Sequence, residues 1–261
     1  MNVQRECVPA ERQEKILTYI RMHGSGQIKE LSGRMGVSEA TVRRDLDALA
    51  GAGCLERTHG GAIRLRDDPH AERRFEEKLT LMAEEKKRIA AAAARFIVPG
   101  DSVFLDSGST SYYLGCEMSE IPDLTVFTYD LMVAYSIPLH PTSEMVVTGG
   151  VRRHGFNNVL LGNRAVDLIR ELRIDKVFLG ADAVDMEFGV SNSTLSEAEI
   201  KAQAVRSGKT VYLMTDHTKF GKSALAKVCG LESMDVVITD GGAAQRDLDR
   251  LRERVGRVVV V

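Results

Sequence analysis

Short apolar segments alternate with helical patterns through the C-terminal part of the chain, and this alternation constrains the fold more than any other feature. The candidate strands are Ser102–Leu105, Leu124–Thr128, Glu144–Val147, Lys176–Leu179, Thr210–Met214, Val236–Ile238 and Arg257–Val261. Helical patterns precede or separate them at Met82–Phe96, Ala165–Leu172 and Glu197–Ser207. The alternation predicts a mainly parallel α/β sheet that is covered by helices on both faces.

The N-terminal part of the chain carries a different pattern, in which three helical segments follow one another closely. These segments are Ala10–His23, Ile28–Met35 and a third from Ser38 to about Ala50. Ser38 can cap the third helix, because its hydroxyl accepts from the free backbone amides of a first turn. Two short segments then flank His59-Gly60-Gly61, which predicts a hairpin. The order predicts a winged helix-turn-helix.

The third helix has the features of a helix that lies in the major groove of DNA. Such a helix needs hydrogen-bonding and cationic residues on one face and a buried face opposite. The polar candidates are Ser38, Glu39, Thr41, Arg43 and Arg44, and the apolar stripe is Val42, Leu46 and Leu49. Arg43 and Arg44 project about 100° apart, so one can approach bases while the other takes phosphate, and the sequence leaves open which.

The predicted hairpin adds further candidates for DNA contact. They are Arg57, Arg64 and Arg66, whose cations suit the DNA backbone, and His59 between the two segments. Two alternatives remain open for the whole N-terminal segment. It is a helical bundle with a solvated charged face, or it binds a protein and not nucleic acid.

A loop that follows the first predicted strand suits an anion. The sequence LDSGSTS, Leu105–Ser111, leaves a strand and opens a helix. Gly108 lets the backbone approach a ligand closely, while the hydroxyls and the free amides of the helix N-terminus offer donors. The candidate ligand-binding residues of this loop are Asp106, Ser107, Gly108, Ser109 and Thr110.

Other predicted strand ends carry the remaining polar candidates. They are Gly149, Gly150, Arg152, Asp182, Asp216 and Lys219. Ligands of open parallel sheets bind at the carboxyl ends of the strands, so these residues are expected to face one site. The alternative is that Asp182 and Asp216 are helix caps and Lys219 is a surface residue.

Composition excludes several classes of protein. The chain is 44% hydrophobic and 28% charged, as in ordinary globular proteins, and no stretch approaches the roughly 18 apolar residues of a membrane span. Residues 1–66 hold 11 Lys and Arg against 8 Asp and Glu, and the remainder holds 24 against 29. This asymmetry suits a DNA-binding head on an acidic body.

The four cysteines show no metal-type spacing, and we expect a cytoplasmic protein without a metal or membrane contact.

Two stretches carry a family resemblance. IKELSGRMGVSEATVRRDLDALAGAGCLERTHGGA, Ile28–Ala62, resembles the N-terminal signature of the DeoR family of bacterial sugar-metabolism regulators. The DSGST, TGG, GAD, DHTKFGK and VVITD segments, within roughly Glu84–Asp240, resemble the effector domain of that family. That domain is similar in fold to ribose-5-phosphate isomerase.

The resemblance implies a domain organisation and a function. It implies a winged helix-turn-helix domain at 8–65 with the helix-turn-helix at about 25–50, a linker at 66–81, and an effector-binding and oligomerisation domain at 82–261. It further implies a homo-oligomeric repressor, dimer or tetramer, of a carbohydrate-metabolism operon. Such a repressor binds double-stranded operator DNA, needs no cofactor, and is released by a phosphorylated sugar.

The alternative is a sugar-phosphate isomerase-like enzyme fused to a DNA-binding head. In the isomerase pattern an acidic residue stands just before the GAD segment, a glutamate directly after it, and a lysine with a glycine-rich run downstream. Here Asp182 is present, but Leu179 and Ala183 occupy the positions on either side of the segment, and Gly189–Ser193 contains no lysine. Because proton transfer between sugar carbons requires a base and an electrophilic partner, we expect binding without catalysis and assign no catalytic residue.

Overall fold

The structure, a computed structural model, describes residues 9–52, 54–63, 75–152 and 158–261. They form two compact units that divide between Arg74 and Phe75. The helices are α1 Pro9–His23, α2 Ile28–Met35, α3 Glu39–Gly51, α4 Phe75–Thr80, α5 Ala83–Ala94, α6 Ser109–Glu117, α7 Leu131–Ser136, α8 Asn163–Arg170, α9 Leu195–Ser207 and α10 Gln245–Arg252. Single 3-10 turns lie at His217–Lys219 and Leu231–Ser233.

The strands alternate with the helices, as the sequence predicts. In the smaller unit they are β1 Ser25–Gln27, β2 Glu56–Thr58 and β3 Gly61–Ile63. In the larger unit they are β4 Ser102–Leu105, β5 Thr125–Thr128, β6 Glu144–Val147, β7 Val151–Arg152, β8 Leu160–Leu161, β9 Ile174–Leu179, β10 Ala183–Asp185, β11 Gly189–Asn192, β12 Gly208–Met214, β13 Ala226–Cys229, β14 Val236–Thr239 and β15 Arg257–Val260.

The smaller unit is a three-helix head with a small antiparallel sheet. Strands β2 and β3 form the predicted hairpin with His59 and Gly60 in its turn, and Thr58 pairs with Gly61. The sequence did not predict β1, which pairs with β3 so that the sheet order is β1-β3-β2. The core of this unit takes apolar side chains from all three helices and from the hairpin: Ile16, Tyr19, Ile20, Ile28, Leu31, Val42, Leu46, Leu49, Leu55 and Ala62. The winged helix-turn-helix prediction is confirmed.

The larger unit is built on a parallel sheet of seven strands in the order β15-β14-β12-β9-β4-β5-β6. Each of the seven predicted strands is one of these seven. Successive residues of a central strand serve opposite cores: Phe104 packs with α8 and α9, whereas Val103 and Leu105 pack with α5 and α6. Strands buried on both faces read as continuous apolar runs, which is why the sequence pattern located them.

Two smaller sheets were not predicted. Strands β10, β11 and β13 form one antiparallel sheet, and β7 pairs with β8 in another. The predicted linker at 66–81 also differs from the structure, because its second half contains α4 and belongs to the larger unit. The first half of that linker, together with Arg64, Arg66 and Cys7, lies outside the described residues.

Candidate functional site

Helix α3 begins as its sequence predicts. Ser38 has extended backbone angles, and its Oγ accepts from the amide of Thr41 at 3.2 Å. The two hydroxyls of Ser38 and Thr41 also lie 2.9 Å apart. A serine at this position satisfies one of the amides that a first turn leaves without a helical acceptor. The cap therefore fixes where the helix starts and holds both hydroxyls at its exposed end.

The two faces of α3 separate charge from apolar surface. Val42 and Leu46 are completely buried, whereas Arg43 and Arg44 are exposed. The Arg43 guanidinium lies 3.3 Å from the Glu39 carboxylate one turn earlier, and both side chains remain about half exposed. Within the described residues, no hydrogen-bond or ion-pair partner is assigned to Arg44. This face can thus present two cations, one of them partly neutralised.

The hairpin residues differ in what they contact. Arg57 donates from Nε to Asp47 Oδ1 at 2.8 Å and from Nη1 to the Gly61 carbonyl at 2.6 Å. These bonds tie the hairpin to α3 and occupy part of the guanidinium of this candidate DNA contact. His59 is exposed in the hairpin turn.

A buried ion pair beneath α3 was missed by the sequence analysis. Arg12 of α1 donates to Asp45 from Nε at 2.6 Å and from Nη2 at 3.2 Å. Gln13 donates to the same carboxylate at 3.0 Å. Asp45 is 3% exposed and shares the helix face of Val42 and Leu46, which is the signal that would have marked it as buried. The pair joins the first helix to the helix expected to read DNA.

The loop predicted to bind an anion lies at the carboxyl edge of the seven-stranded sheet. It runs from the end of β4 into α6, and Gly108 has a φ of 99°, which L side chains rarely adopt. The Gly108 amide donates to Asp130 Oδ2 at 3.0 Å, and Oδ1 of Asp130 caps α7. The loop is therefore tied to the end of the neighbouring strand β5. Ser107 and Thr110 are partly exposed, whereas Ser109 is buried.

Asp106 occupies a different place from the one expected. It is completely buried, and its carboxylate accepts from Tyr129 Oη at 2.6 Å and from the Gly180 amide at 2.7 Å. Lys201 of α9 places its ammonium 2.8 Å from the same carboxylate. Asp106 thus lies under the loop and positions it, rather than standing on its surface.

Lys201 is the centre of a buried charge cluster that the sequence analysis missed. The sequence pattern predicts no lysine near Asp182, because Gly189–Ser193 contains none. The structure differs, since α9 supplies Lys201. Burial alone would lower the pKa of Lys201, but the charges of Asp106, Asp182 and Glu197 raise it. Glu197 in turn accepts from Asn192 at 3.1 Å. A lysine that remains charged at every physiological pH holds these carboxylates together.

Asp182 faces the same cluster from the end of β9. Burial would raise its pKa, but the charges of Lys78 and Lys201 and the bond from the Ser193 amide at 2.8 Å lower it to about 2. Because its pKa is low, the Asp182 carboxylate is ionised at neutral pH. Because Asp182 is partly exposed, this charge lies at the accessible edge of the sheet. The Ser193 amide in the turn before α9 thus takes one oxygen of Asp182, and the role of Asp182 in ligand binding stays a prediction.

The remaining predicted residues divide between internal and exposed roles. Asp216 is buried and accepts from the Thr218 amide at 3.0 Å, so it caps the 3-10 turn. Lys219 is partly exposed in that turn. Gly149 and Gly150 have φ values of 75° and 123°. Arg152 is exposed and donates to Asn158 at 2.6 Å.

A histidine at the same edge was also missed. The His217 amide donates to Asp240 Oδ1 at 2.7 Å, and the ring Nδ1 lies 2.7 Å from Asp240 Oδ2. A Cβ on Gly242 would lie 2.4 Å from Nδ1, so a glycine at that position leaves room for the ring.

Among the described residues no cluster of three His, Cys, Asp or Glu side chains suits a metal. In the same part of the chain no helix is long and apolar enough to span a membrane.

The comparisons with known proteins agree with this organisation. The family model of the DeoR-like helix-turn-helix domain matches residues 12–67, and that of the DeoR C terminal sensor domain matches residues 81–241. A provisionally named aga operon transcriptional repressor of Escherichia coli O157:H7 is 32% identical over 97% of this chain and 94% of that protein. The regulator GolR of Listeria innocua is 31% identical over 89% and 91%. The transcriptional repressor AccR of Agrobacterium fabrum is 30% identical over 96% of each chain.

Solved structures give a weaker match. A D-ribose-5-phosphate isomerase in complex with phospho-erythronic acid is 21% identical over 52% of this chain and 54% of that chain, with a TM-score of 0.37. At that TM-score the isomerase-like topology stays a prediction. The two family models and the relatives, which are transcriptional regulators rather than enzymes, show that this chain belongs to the DeoR family of helix-turn-helix transcriptional regulators.

Proposed function

We propose that this regulator represses a carbohydrate-metabolism operon and that a phosphorylated sugar releases it from its operator. Repression is supported by the relatives, since the proteins matched in Escherichia coli O157:H7 and Agrobacterium fabrum carry the name of repressor. The single observation that carries the release half is the loop at the start of α6, which offers an anion its donors at the edge of the sheet.

The DNA half of the proposal depends on α3. Its capped N-terminus, its exposed arginines and its buried opposite face are the arrangement that a major-groove helix requires. Arg57 and His59 on the hairpin add contacts to the DNA backbone, and these contacts position the head without specifying sequence. In this scheme Ser38, Glu39, Thr41, Arg43 and Arg44 face the groove.

The DNA half is tested with Arg43→Ala and Arg44→Ala in the full chain. The probe is duplex DNA selected by the wild-type protein from a random-sequence pool, and affinity is measured over a range of salt concentrations. Loss of a base contact should cost about 1–3 kcal/mol and relax sequence preference, whereas loss of a phosphate contact should reduce the salt slope by about one. Arg170→Ala, an exposed arginine of the larger unit, is the control. Wild-type affinity in both head variants would refute the assignment of α3.

The effector half depends on the first turn of α6. The amides of Ser109, Thr110 and Ser111 open the helix and have no acceptor within it. Together with the Ser107 hydroxyl they form a phosphate site at a helix N-terminus. Gly149, Gly150, Arg152, Asp182 and Lys219 lie at the ends of other strands or just beyond them, where hydroxyl groups of a sugar would be bound.

The effector half is tested by thermal shift of the full chain against pentose and hexose phosphates, each paired with its unphosphorylated sugar. A ligand at 100 times its Kd should stabilise the protein by about 2.7 kcal/mol. Gly108→Ala should abolish the shift, because its φ of 99° strains any side chain. Gly33→Ala is the control, since a Cβ there meets no atom within 4 Å. A shift with the unphosphorylated sugars alone would contradict the proposal.

The proposal also requires a homo-oligomer, so that paired heads meet two half-sites. Such half-sites lie about 34–36 Å apart, or multiples of this, along the DNA. Light scattering coupled to size exclusion measures the oligomeric state, and footprinting measures the spacing. A monomer bound to one unrepeated site would refute this part.

A further inference from the structure

Helix α9 and strand β13 form the two walls of a groove on the surface of the larger unit. The helix wall consists of Leu195, Ala198, Glu199 and Ala202, whose spacing of three and four residues places them on one face of α9. Leu195 is 72% exposed, whereas Ala198 is buried. The helix wall therefore combines a large exposed apolar side chain with small side chains beside it.

The strand wall has the same character. It consists of Leu225, which directly precedes β13, and of Ala226 and Lys227. Ala226 is buried, whereas Leu225 is 71% exposed and Lys227 is exposed. Outward positions of a half-buried antiparallel strand are usually polar, so a leucine here is an exception. Single exposed apolar residues are normal on a protein surface, but here two exposed leucines line one groove from opposite walls.

The groove also carries one charge of each sign, and the two charges stand on opposite walls. Glu199 belongs to α9, and within the described residues no hydrogen-bond or ion-pair partner is assigned to it. Lys227 belongs to β13, and its ammonium lies 5.7 Å from the centroid of the Phe188 ring. A two-fold axis that runs along the groove would bring the helix wall of one copy against the strand wall of another. Each charge would then meet its opposite, so the groove is complementary to itself.

We infer that this groove is the centre of a two-fold interface between two copies of the chain. Leu195 and Leu225 of each copy pack on the alanines of the other groove, and Glu199 of each copy faces the partner subunit's Lys227. The inference rests on the homo-oligomer of the proposed function and assigns a surface to it. The groove, of about 420 Å³, is the middle of the contact and not its whole extent, because a stable interface buries at least about 1,200 Å² in total.

The first test measures the mass of the full-length assembly by sedimentation velocity over a range of concentrations. Leu225→Glu should halve that mass and raise the dissociation constant at least about thirtyfold, the effect of losing an interface hot spot. Tyr135→Glu is the control, because Tyr135 is 89% exposed on α7 and does not line the groove, and it should keep the wild-type mass. A wild-type oligomer that Leu225→Glu leaves intact would overturn the inference alone. A wild type that is monomeric at every concentration would overturn the homo-oligomer of the proposed function as well.

The second test uses exposed charges, whose exchange leaves the core of each copy unchanged. Glu199→Lys and Lys227→Glu should each weaken self-association about tenfold or more, because each places like charges opposite one another twice across the axis.

Two rescues follow from the two-fold arrangement. The double variant Glu199→Lys with Lys227→Glu should regain the wild-type mass. An equimolar mixture of the two single variants should form mixed pairs in excess over either self-pair, as native mass spectrometry would show. Single variants that associate like the wild type, or a mixture with only the statistical share of mixed pairs, would overturn the inference and leave the groove to a partner other than this chain.

Discussion

Replacement of Arg12 by methionine should destabilise the head by far more than the loss of an ordinary surface charge. The Arg12 side chain is 11% exposed and that of Asp45 is 5% exposed, with Nε 2.6 Å from Oδ2. Methionine fills nearly the same volume but removes the cation. The Asp45 carboxylate then stays buried, and among the described residues it keeps the Gln13 side-chain amide as a donor at 3.0 Å.

The expected cost follows from that burial. Removal of one partner of a buried ion pair costs about 3–5 kcal/mol, because the other charge is left without compensation. A unit of roughly 60 residues has a total stability of about 3–9 kcal/mol. Arg12→Met should therefore consume much of the stability of the head and populate its unfolded form.

A second substitution, at Asp45, should restore part of the stability that Arg12→Met removes. Arg12→Met combined with Asp45→Ala should be more stable than Arg12→Met alone, because the uncompensated carboxylate is gone. Arg43→Ala, which breaks the exposed pair with Glu39, should cost about 0.3–0.5 kcal/mol.

Hydrogen exchange of the full-length chain, read on peptides from α1 and α3, gives the opening free energy of the head alone. Peptides from residues 75–261 provide the internal reference. The reasoning is refuted if Arg12→Met costs no more than Arg43→Ala, or if the added Asp45→Ala lowers stability further.

Three more predictions concern the hairpin and the effector edge. Arg57→Ala should speed exchange of the hairpin and weaken DNA binding, whereas Asp47→Ala should do only the former; an equal loss of affinity in both would reduce Arg57 to a positioning residue. Gly61→Ala should unfold the hairpin, since its Cβ would lie 2.0 Å from the Gly26 carbonyl oxygen, and wild-type exchange rates there would contradict this. The pKa of Asp182 is lowered from 3.8 to about 2, so its ionised form stabilises the fold by about 2 kcal/mol. This stabilisation is present above pH 4 and is lost as the pH falls towards 2. Urea titrations of the Asp182→Asn variant should therefore show no such loss of stability in acid.

The sequence was sufficient for the elements whose pattern is local. Parallel strands such as β4 and β9 are apolar throughout because both faces are covered, so they stand out between polar turns. Ser38 was predictable as a cap because its role depends only on the three residues that follow. The strands of the β10-β11-β13 sheet were not predictable, because Gly189–Asn192 lacks an apolar run and acquires its structure from partners that are distant in sequence.

The buried charged residues were not predictable for the same reason. Lys201 and Arg12 stand on helices, where a long cation is usually solvated. Their burial is decided by Asp106 and Asp45, which lie on other elements. The sequence predicts a linker where α4 lies, because the segment before it is highly charged and Phe75 and Leu79 alone are too short an apolar pattern to indicate a helix. Pairwise contacts across the fold, and not local composition, decide these positions.

The order of pairing in the head sheet has a consequence for the nascent chain. Strand β1 precedes α2 and α3, whereas its partner β3 follows them. A chain synthesised from its N-terminus therefore carries α3, with both arginines, before the strand that closes the sheet exists. A chain that ends between Gly51 and Ile63 lacks all or part of β3, and with it the strand that pairs with β1. Complete synthesis of the hairpin is thus the step that adds Leu55 and Ala62 to the core and gives β1 its partner.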